Sequence, residues 1–410
     1  MTHSEPSTSA RECGIVYFGN DWRAENRTSS HHVAQRLARR FRILYVDSPG
    51  MRAPSATGRD VRRLARKLAG ALRPPSELSP GFWYCTVPQI PFRRFSGVEA
   101  LNRFFGVWAV RRAIRAAGLK RFISWFVLPH PGFLAQRLGE DLCVYYCIDD
   151  YAAHPGVDVS RISRIDRELT LVADQVFVAP PGMLESKKAQ NPTTTFAPHG
   201  VDAQLFAKAM DPATPVPPLA QSLKRPLIGF FGLIADWIDT DLICWLADRR
   251  MDWSFLLIGA QKTDIDGLRR RANIHLPGPQ PYSELPGWAR AFDVAIIPYR
   301  LNQQVRNANP LKLREYLATG RPVVTVRNPE IERFAKWVRI ADGREAFLSA
   351  IEEALLPEPP TAAQERLAAV REMTWDNRVE EVIQTVGRAY ARKHGTGLLE
   401  LQGRDHGNAG

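Results

Sequence analysis

Short apolar segments that alternate with helical segments constrain the fold of this chain most. In the first half, "CGIVYFGN", "FRILYVDSP", "RFISWFVL", "LCVYYCIDD", "DQVFVAP" and "TTTFAPHG" have the composition of strands. In the second half, "PLIGFFGLI", "SFLLIGA", "NIHLPG", "DVAIIPY", "PVVTV" and "VRIAD" repeat the pattern. Strands that alternate with helices form parallel sheets with helices on both faces. The sequence therefore predicts an α/β protein with two α/β/α domains.

A proline-rich stretch, "DPATPVPPLAQSLKRP", separates the two runs of strands. A chain of 410 residues is also longer than one compact core usually supports. We therefore predict an N-terminal domain at 1–211, a linker at 212–225, a C-terminal domain at 226–374, a crossover helix at 375–394 and a flexible tail at 395–410. Two such domains are expected to face a cleft, with ligands at the carboxyl ends of the strands.

Several function classes lack their sequence signatures. No GxGxxG follows the first strand and no GxxxxGK[ST] occurs, which argues against a dinucleotide-dependent dehydrogenase and a P-loop NTPase. No histidine cluster has the spacing of metal ligands, because His31 and His32 are adjacent on a predicted helix and cannot face one ion together. We expect no metal and no cofactor. The five cysteines form no CxxC pair, "MTHSEPSTSARECG" lacks the apolar region of a signal peptide, and no apolar run is long enough to span a membrane. These features predict a cytoplasmic protein.

Positive charge is concentrated in one segment. Between Met51 and Arg121, fifteen Lys or Arg face three acidic residues, an excess equal to the whole formal net charge of +12. "DVRRLARKLAGAL" alternates basic and apolar residues at helical spacing, and "PFRRF" and "RRAIRAAGLKRF" add aromatic residues. A solvated basic face is the alternative interpretation. We predict that the segment 59–121 binds an anionic membrane surface, on the inner face of the plasma membrane. No nucleic-acid partner is expected, because no binding motif accompanies the charge.

The stretch "NANPLKLREYLATGRPVV", residues 307–324, predicts a helix that leads into a buried strand. Asn309 is a good N-cap, Pro310 suits the first helical position and Gly320 is placed to end the helix. Lys312 and Glu315 are i,i+3 neighbours on this helix. A surface ion pair would explain that spacing equally well.

This stretch and its context resemble the GT-B glycosyltransferases, particularly the large retaining family (glycosyltransferase family 4-like) that makes polysaccharides and glycolipids from nucleotide-sugars. The resemblance rests on "APHGVD", "IGFFGLI", "LPGPQPYSELP", "FDVAIIPY" and "NPLKLREYLATGRPVV", in this order, and covers roughly residues 196–326 well. It implies two Rossmann-like domains facing a cleft, with the nucleotide-sugar bound by the C-terminal one.

The resemblance also implies a donor site. Glu315 occupies the place of the glutamate that binds the ribose hydroxyls, and the start of its helix would point N–H groups at the diphosphate. The predicted donor-binding residues are Glu315, Lys312, Asn309, Pro310, Leu311, Gly232, His199 and Tyr282. Two features depart from the family. Asn307 stands where a second glutamate is usual, and the usual basic pair after the glycine-rich strand is absent. Helix dipoles, Lys312, or an arginine such as Arg306 or Arg27 would then have to meet the diphosphate charge.

The N-terminal domain is expected to hold the acceptor. The polar loop "GNDWRAENRTSSHH" joins the first strand to the first helix. Asn20, Arg27 and His31 are the predicted acceptor-binding residues. Ser29 or Ser30 is an equally good candidate for the N-cap of that helix.

Three residues are candidates for catalysis. His130 follows a strand end, where the resembled retaining enzymes place a histidine near the transferred sugar; its flanking prolines equally suit an irregular turn. Asp149 and Asp150 end another strand, where a carboxylate can act as a general base or Asp150 can cap the next segment. Glu168 is expected on a helix packed beneath the site, in a structural role.

Together these features predict an enzyme that transfers a hexosyl residue from a nucleotide-sugar to a lipid-linked or growing saccharide acceptor, in cell-surface or exopolysaccharide synthesis. Retention of the anomeric configuration without a metal is expected, with electrostatic stabilisation of the departing diphosphate. Inversion with Asp149 or Asp150 as the base is the alternative mechanism. A nucleotide-sugar 2-epimerase and a non-catalytic nucleic-acid binder are the alternative functions.

Overall fold

The computed structural model describes residues 13–24, 27–47, 74–87, 96–154 and 156–395. The chain forms two compact units, which we name the N-terminal unit (Met1–Ala197 with Val379–Gly410) and the C-terminal unit (Pro198–Arg378). "DVRRLARKLAGAL" and "PFRRF", which carry much of the predicted membrane segment, lie outside the described residues.

The N-terminal unit is built on an eight-stranded sheet in the order β3-β4-β2-β1-β5-β6-β7-β8. Its strands are β1 (Cys13–Gly19), β2 (Ile43–Asp47), β3 (Ser76–Ser79), β4 (Phe82–Thr86), β5 (Arg121–Phe126), β6 (Leu142–Cys147), β7 (Gln175–Val178) and β8 (Thr195–Phe196). Its helices include α1 (Ser29–Leu37), α2 (Ser96–Ala116), α3 (Val159–Val172) and α4 (Leu184–Gln190). The pairs around β1, β5 and β6 are parallel, and these strands are buried almost throughout because helices cover both faces.

The hairpin of β3 and β4 was not predicted. Its strands pair antiparallel, and β4 continues the sheet beside β2. The turn uses Gly81 at a φ of +78°, a conformation that favours glycine. The signal for β4 is the run of three consecutive aromatic residues in "SELSPGFWYCT", which the basic charge of the surrounding segment obscures.

The C-terminal unit contains a six-stranded parallel sheet in the order β11-β10-β9-β12-β13-β14. The strands are β9 (Leu227–Phe231), β10 (Ser254–Ile258), β11 (Ile274–Gly278), β12 (Val294–Ile297), β13 (Val323–Val326) and β14 (Arg339–Ala341). Its helices are α5 (Ala203–Ala207), α6 (Pro218–Ser222), α7 (Thr240–Arg249), α8 (Asp266–Arg269), α9 (Leu285–Arg290), α10 (Gln303–Asn307), α11 (Leu311–Ala318), α12 (Pro329–Glu332), α13 (Arg344–Ala354) and α14 (Ala362–Val370). The last helix, α15 (Trp375–His394), begins in this unit and belongs to the N-terminal unit from Val379 onwards. The strand order reverses between β9 and β12, and in such sheets ligands bind at the carboxyl ends of the strands at this switch point.

The unit boundary lies between Ala197 and Pro198, earlier than the predicted end of the first domain at residue 211. The predicted linker, 212–225, belongs to the C-terminal unit and contains the helix α6. Arg290 Nη1 donates a hydrogen bond to the Thr214 carbonyl oxygen at 2.7 Å, and Ala220 is buried. The proline-rich segment is therefore packed on the C-terminal unit. Its composition alone does not distinguish such a segment from a free linker.

Two of the described helices, α2 and α15, are long. The bounds of α15 are those that the sequence predicted. Within the described residues, no helix combines the length and the apolar character that crossing a membrane requires.

Candidate functional site

The switch point of the C-terminal sheet is built around Gly232, directly after β9. Its φ is +150°, and a Cβ atom there would lie 2.8 Å from Lys312 Cε. The neighbouring Gly259, after β10, approaches so closely that a Cβ atom would lie 1.8 Å from the Gly232 carbonyl oxygen. Glycine is therefore required at both positions, and Gly232 lies against the first turn of α11.

The helix α11 is anchored by a buried arginine. Arg314 is 1% exposed and pairs with Glu330, which is fully buried. Arg314 Nη1 also donates a hydrogen bond to Asn309 Oδ1 at 2.6 Å. The prediction that Asn309 caps this helix is wrong: the N-cap residue is Pro310, without a side-chain cap. The Asn309 side chain instead accepts a hydrogen bond from the Arg314 guanidinium, because a buried guanidinium needs hydrogen-bond acceptors inside the protein.

Glu315 is 4% exposed, so its predicted pairing with Lys312 is not a surface ion pair. Glu315 Oε2 lies 2.6 Å from Lys312 Nζ, and Oε1 accepts a hydrogen bond from Tyr282 Oη at 3.2 Å. Lys312 Nζ lies 5.0 Å from the centroid of the Phe231 ring at the end of β9. Since a carboxylate offers about four lone-pair directions, two remain for further donors.

Tyr282 is held as a neutral donor. Burial raises the pKa of its phenol well above the ordinary value, and the neighbouring carboxylates Glu315 and Asp202 raise that pKa further. Its ring packs edge-on against Phe206 at a centroid distance of 5.5 Å. The phenol therefore keeps its proton at neutral pH, and its contact with Glu315 Oε1 helps to orient that carboxylate.

His199 is placed by a different contact. It is buried, and its ring centroid lies 5.9 Å from that of Trp375 at the start of α15. The adjacent Val201 donates its N–H to the Met373 carbonyl oxygen at 2.9 Å. The structure thus brings Gly232, Tyr282, Lys312 and Glu315 together, and gives His199 a packing position beside Trp375.

In the N-terminal unit, the loop after β1 forms an aromatic cluster. Trp22 packs against Phe82 at a ring-centroid distance of 4.6 Å, and the Arg27 guanidinium lies 5.3 Å from the Trp22 ring. The Asn20 carbonyl oxygen accepts a hydrogen bond from Tyr45 Oη at 2.5 Å. Sequence reasoning named Asn20 and Arg27 here but missed Trp22, although a tryptophan within a polar loop was a visible signal.

His31 has a structural position instead of the predicted acceptor contact. It is completely buried, and Nδ1 accepts a hydrogen bond from the Thr28 N–H at 3.1 Å. Nε2 lies 3.0 Å from the Asp21 carbonyl oxygen. The residue at the N-cap position of α1 is Thr28, not Ser29 or Ser30. His31 therefore holds the loop to the helix, and burial lowers the pKa of its ring.

The three predicted catalytic residues follow β5 and β6. His130 and Asp150 are 4% and 7% exposed. Asp149 Oδ2 lies 2.8 Å from His154 Nε2, and Asp149 Oδ1 accepts a hydrogen bond from the Asp150 N–H at 2.9 Å. Both Asp149 oxygens thus have contacts that order the start of the next segment.

Glu168 lies on a helix, α3, as predicted, but its side chain is not packed against the protein. Its side chain is 58% exposed, and Oε1 lies 3.0 Å from Arg164 Nη1, one turn earlier on α3. Both residues line a cavity that His130 also lines.

Comparisons with known proteins agree with this architecture. Residues 228–356 match the family described as Glycosyl transferases group 1. A Bacillus subtilis (strain 168) protein described as a teichuronic acid biosynthesis glycosyltransferase, TuaH, is 25% identical over 69% of this chain and 82% of its own. Sucrose-phosphate synthase from Thermosynechococcus elongatus superposes with a TM-score of 0.62, at 13% identity over 93% of this chain and 100% of its own. An E. coli structure described as trehalose-6-phosphate bound with UDP-2-fluoro glucose gives 0.64, at 11% identity over 90% of this chain and 98% of its own.

Two α/β sheets of this order, parallel except for the edge strand β3, define a GT-B fold together with these neighbours. The chain is a glycosyltransferase, and residues 228–356 are similar to the glycosyltransferase group 1 family.

Proposed function

We propose that the C-terminal unit binds a nucleotide-sugar at the switch point of its sheet and that the N-terminal unit binds a saccharide acceptor. The observation that carries this proposal is the buried Glu315, oriented by Lys312 and Tyr282 beside Gly232. Two vicinal ribose hydroxyls match the two lone-pair directions that remain on the carboxylate. The first-turn N–H groups of α11 and the Lys312 ammonium supply the positive charge that a diphosphate requires.

The experiment is a thermal-shift panel of nucleoside diphosphates and nucleotide-sugars. A ligand that binds only the folded protein raises the melting temperature by mass action. UDP and UDP-glucose are the first ligands to test, since the E. coli neighbour is described as binding UDP-2-fluoro glucose. We expect one base to be preferred. No shift with any nucleotide would overturn the proposal.

We propose a retaining, metal-independent transfer of a hexosyl residue. Both Asp149 oxygens already have contacts, which supports retention over a mechanism with Asp149 as general base. NMR of the product anomer decides between the two, and an inverted anomer would overturn retention. If inversion were found, Asp149→Asn or Asp150→Asn should lower the rate roughly 10²–10⁴-fold.

The acceptor that we propose is a lipid-linked or growing saccharide in cell-surface polysaccharide synthesis. The description of the Bacillus subtilis relative supports this class. A basic and aromatic surface on α2, described next, supports an acceptor at a membrane.

The α2 outer face consists of Leu101, Phe104, Phe105 and Trp108, followed along the helix by Arg111, Arg112 and Arg115. The apolar members are 46–66% exposed, and the arginines are exposed as well. Their spacing of three and four residues places them on one side of α2. A helix with large apolar side chains and arginines on its exposed side fits an anionic bilayer interface. We propose that this face holds the enzyme on the inner surface of the plasma membrane.

Cosedimentation with anionic and neutral vesicles tests this face. Phe104→Ser with Trp108→Ser should reduce binding to anionic vesicles, and Leu356→Ser is the matched control because Leu356 is 62% exposed in the other unit. Arg111→Gln, Arg112→Gln and Arg115→Gln together should weaken binding by about 3 kcal/mol, at about 1 kcal/mol for each charge. If all variants bind equally to both vesicle types, the α2 outer face does not bind the membrane and this proposal is wrong.

A further inference from the structure

A cavity of about 300 Å³ lies in the N-terminal unit, on the side of α2 opposite the α2 outer face. It is enclosed by α2, α3 and the segment after β5, and its volume suits a ligand of sugar size. Asn102 from α2 and His130 after β5 form buried parts of its wall. Phe133 adds an aromatic surface.

The wall of this cavity is strongly basic. Arg103, Arg137, Arg161 and Arg164 line it, against two carboxylates, Glu99 and Glu168. The lining therefore carries an excess of two positive charges. These arginines come from three separate segments of the chain: α2, the segment after β5 and α3.

The two carboxylates are shared between two of the arginines. Glu168 pairs with Arg164 at 3.0 Å, whereas Glu99 Oε1 lies 3.8 Å from both Arg161 Nε and Arg164 Nη2. The distances to Glu99 are longer than a hydrogen bond. Arg161 and Arg164 therefore keep donor capacity for an anion.

The other two arginines, Arg103 and Arg137, add further charge to the wall. Among the described residues, neither Arg103 nor Arg137 forms an ion pair through its guanidinium. A planar guanidinium is the side chain best suited to bind phosphate through two parallel hydrogen bonds. A phosphate group carries the one or two negative charges that the excess on the wall would balance.

We propose that this cavity binds a phosphate group of the saccharide acceptor. The inference rests on the proposed function, because it names the acceptor class of the N-terminal unit. The phosphate comes either from a sugar phosphate or from the headgroup of a lipid, since the cavity lies on the same helix as the α2 outer face. In both cases the phosphate is anchored by charge, and Phe133 adds an aromatic surface on which the sugar ring of a sugar phosphate packs.

Isothermal titration calorimetry with defined probes tests the cavity. Glucose 1-phosphate represents a sugar phosphate, dihexanoyl phosphatidylglycerol represents a lipid phosphate, and glucose and glucuronate are the uncharged and carboxylate comparisons. We expect at least one phosphate probe to bind and both comparisons to bind at least tenfold more weakly. The tighter phosphate probe identifies the source. The proposal would be overturned if glucose or glucuronate bound as tightly as both phosphate probes. It would also be overturned if neither phosphate probe bound.

Variants locate the binding. Arg103→Gln with Arg137→Gln should weaken the phosphate probe about 100-fold, roughly tenfold for each charge-assisted hydrogen bond. Arg344→Gln, an exposed arginine of the C-terminal unit, should have no effect. Glu315→Gln should retain the phosphate probe even though it loses nucleotide affinity. Loss of the probe in Glu315→Gln, with full binding in the arginine variant, would place the phosphate at the donor site and overturn the cavity proposal. A failure of the proposed function itself would appear separately, as no thermal shift with any nucleotide.

Discussion

The buried pair of Arg314 and Glu330 makes a prediction whose magnitude follows from the structure. Arg314 is 1% exposed and Glu330 is fully buried, so neither charge is compensated by water. Burial lowers the pKa of Arg314, while the adjacent Glu330 acts to raise it. Removing one partner of such a pair costs about 3–5 kcal/mol, because the remaining charge stays buried without compensation. We therefore expect Glu330→Gln to destabilise the packing of α11 by up to this amount.

A matched control lies two residues away on the same helix. Glu332 pairs with Arg327 at 2.8 Å, but its side chain is 47% exposed. Glu332→Gln should therefore cost no more than about 1 kcal/mol, the usual range for an exposed pair. The two substitutions make the same chemical change on one helix. Their sites differ in burial and in one further contact, since Arg333 Nη1 also lies 3.1 Å from Glu330 Oε2.

Hydrogen exchange measured by mass spectrometry is the appropriate assay, because a chain with two units need not unfold in one step. In a peptide spanning residues 309–320, Glu330→Gln should accelerate amide exchange about 10²–10³-fold, since each 1.4 kcal/mol of opening free energy is a factor of ten. Glu332→Gln should change it less than about tenfold. Equal acceleration by both variants would refute the argument that burial makes Arg314 the anchor of α11. Arg314→Met combined with Glu330→Met should recover part of the loss, because no charge is then left behind.

Two further predictions concern a glycine and a histidine. Gly232→Ala should strain the backbone by about 1–3 kcal/mol and displace Lys312, which lowers the affinity for the nucleotide. The control is Gly343→Ala, at a φ of +99° with open space around its Cβ, which should strain the backbone without changing nucleotide affinity. Titration calorimetry measures the nucleotide affinity of both variants, and equal affinities would contradict the prediction. His31 has a lowered pKa, so the unfolded chain binds the proton more readily and the free energy of unfolding should fall as the pH drops below about 6.5. In His31→Gln, the urea concentration at the unfolding midpoint should change less between about pH 7.5 and 5.5 than it does in the wild type. An equal change of the midpoint with pH in both proteins would contradict the role of His31.

The sequence predicted the parallel sheets well, because strands covered on both faces are continuous apolar segments. The strands β1, β2 and β5 to β14 each fall within a segment named from composition. The hairpin of β3 and β4 was missed because β3 is exposed and carries little apolar signal. The proline-rich stretch was interpreted as a linker because its packing on α9 is a tertiary contact without a local signature.

The candidate donor site was predicted in part. Glu315, Lys312, Tyr282 and Gly232 were named from motifs, and the structure places them together. Asn309 was assigned as a helix cap because local propensity favours it there. In the structure the Asn309 side chain accepts a hydrogen bond from the buried Arg314, whose charge partner Glu330 lies on α12, one strand later in the chain. A local sequence pattern therefore does not reveal this role of Asn309.

The most direct test of the central claim is the affinity of the preferred nucleoside diphosphate for Glu315→Gln, measured by isothermal titration calorimetry. The glutamine carbonyl can still accept a hydrogen bond from Lys312, so the unit should remain folded, which the melting temperature checks. Loss of charge-assisted hydrogen bonds to the ribose costs about 1.5–3 kcal/mol, so we predict an affinity at least about tenfold lower than that of the wild type. Glu332→Gln, an exposed carboxylate of the same unit, should bind the nucleotide as the wild type does. Equal nucleotide affinities for Glu315→Gln and Glu332→Gln would contradict the assignment of Glu315 to the donor.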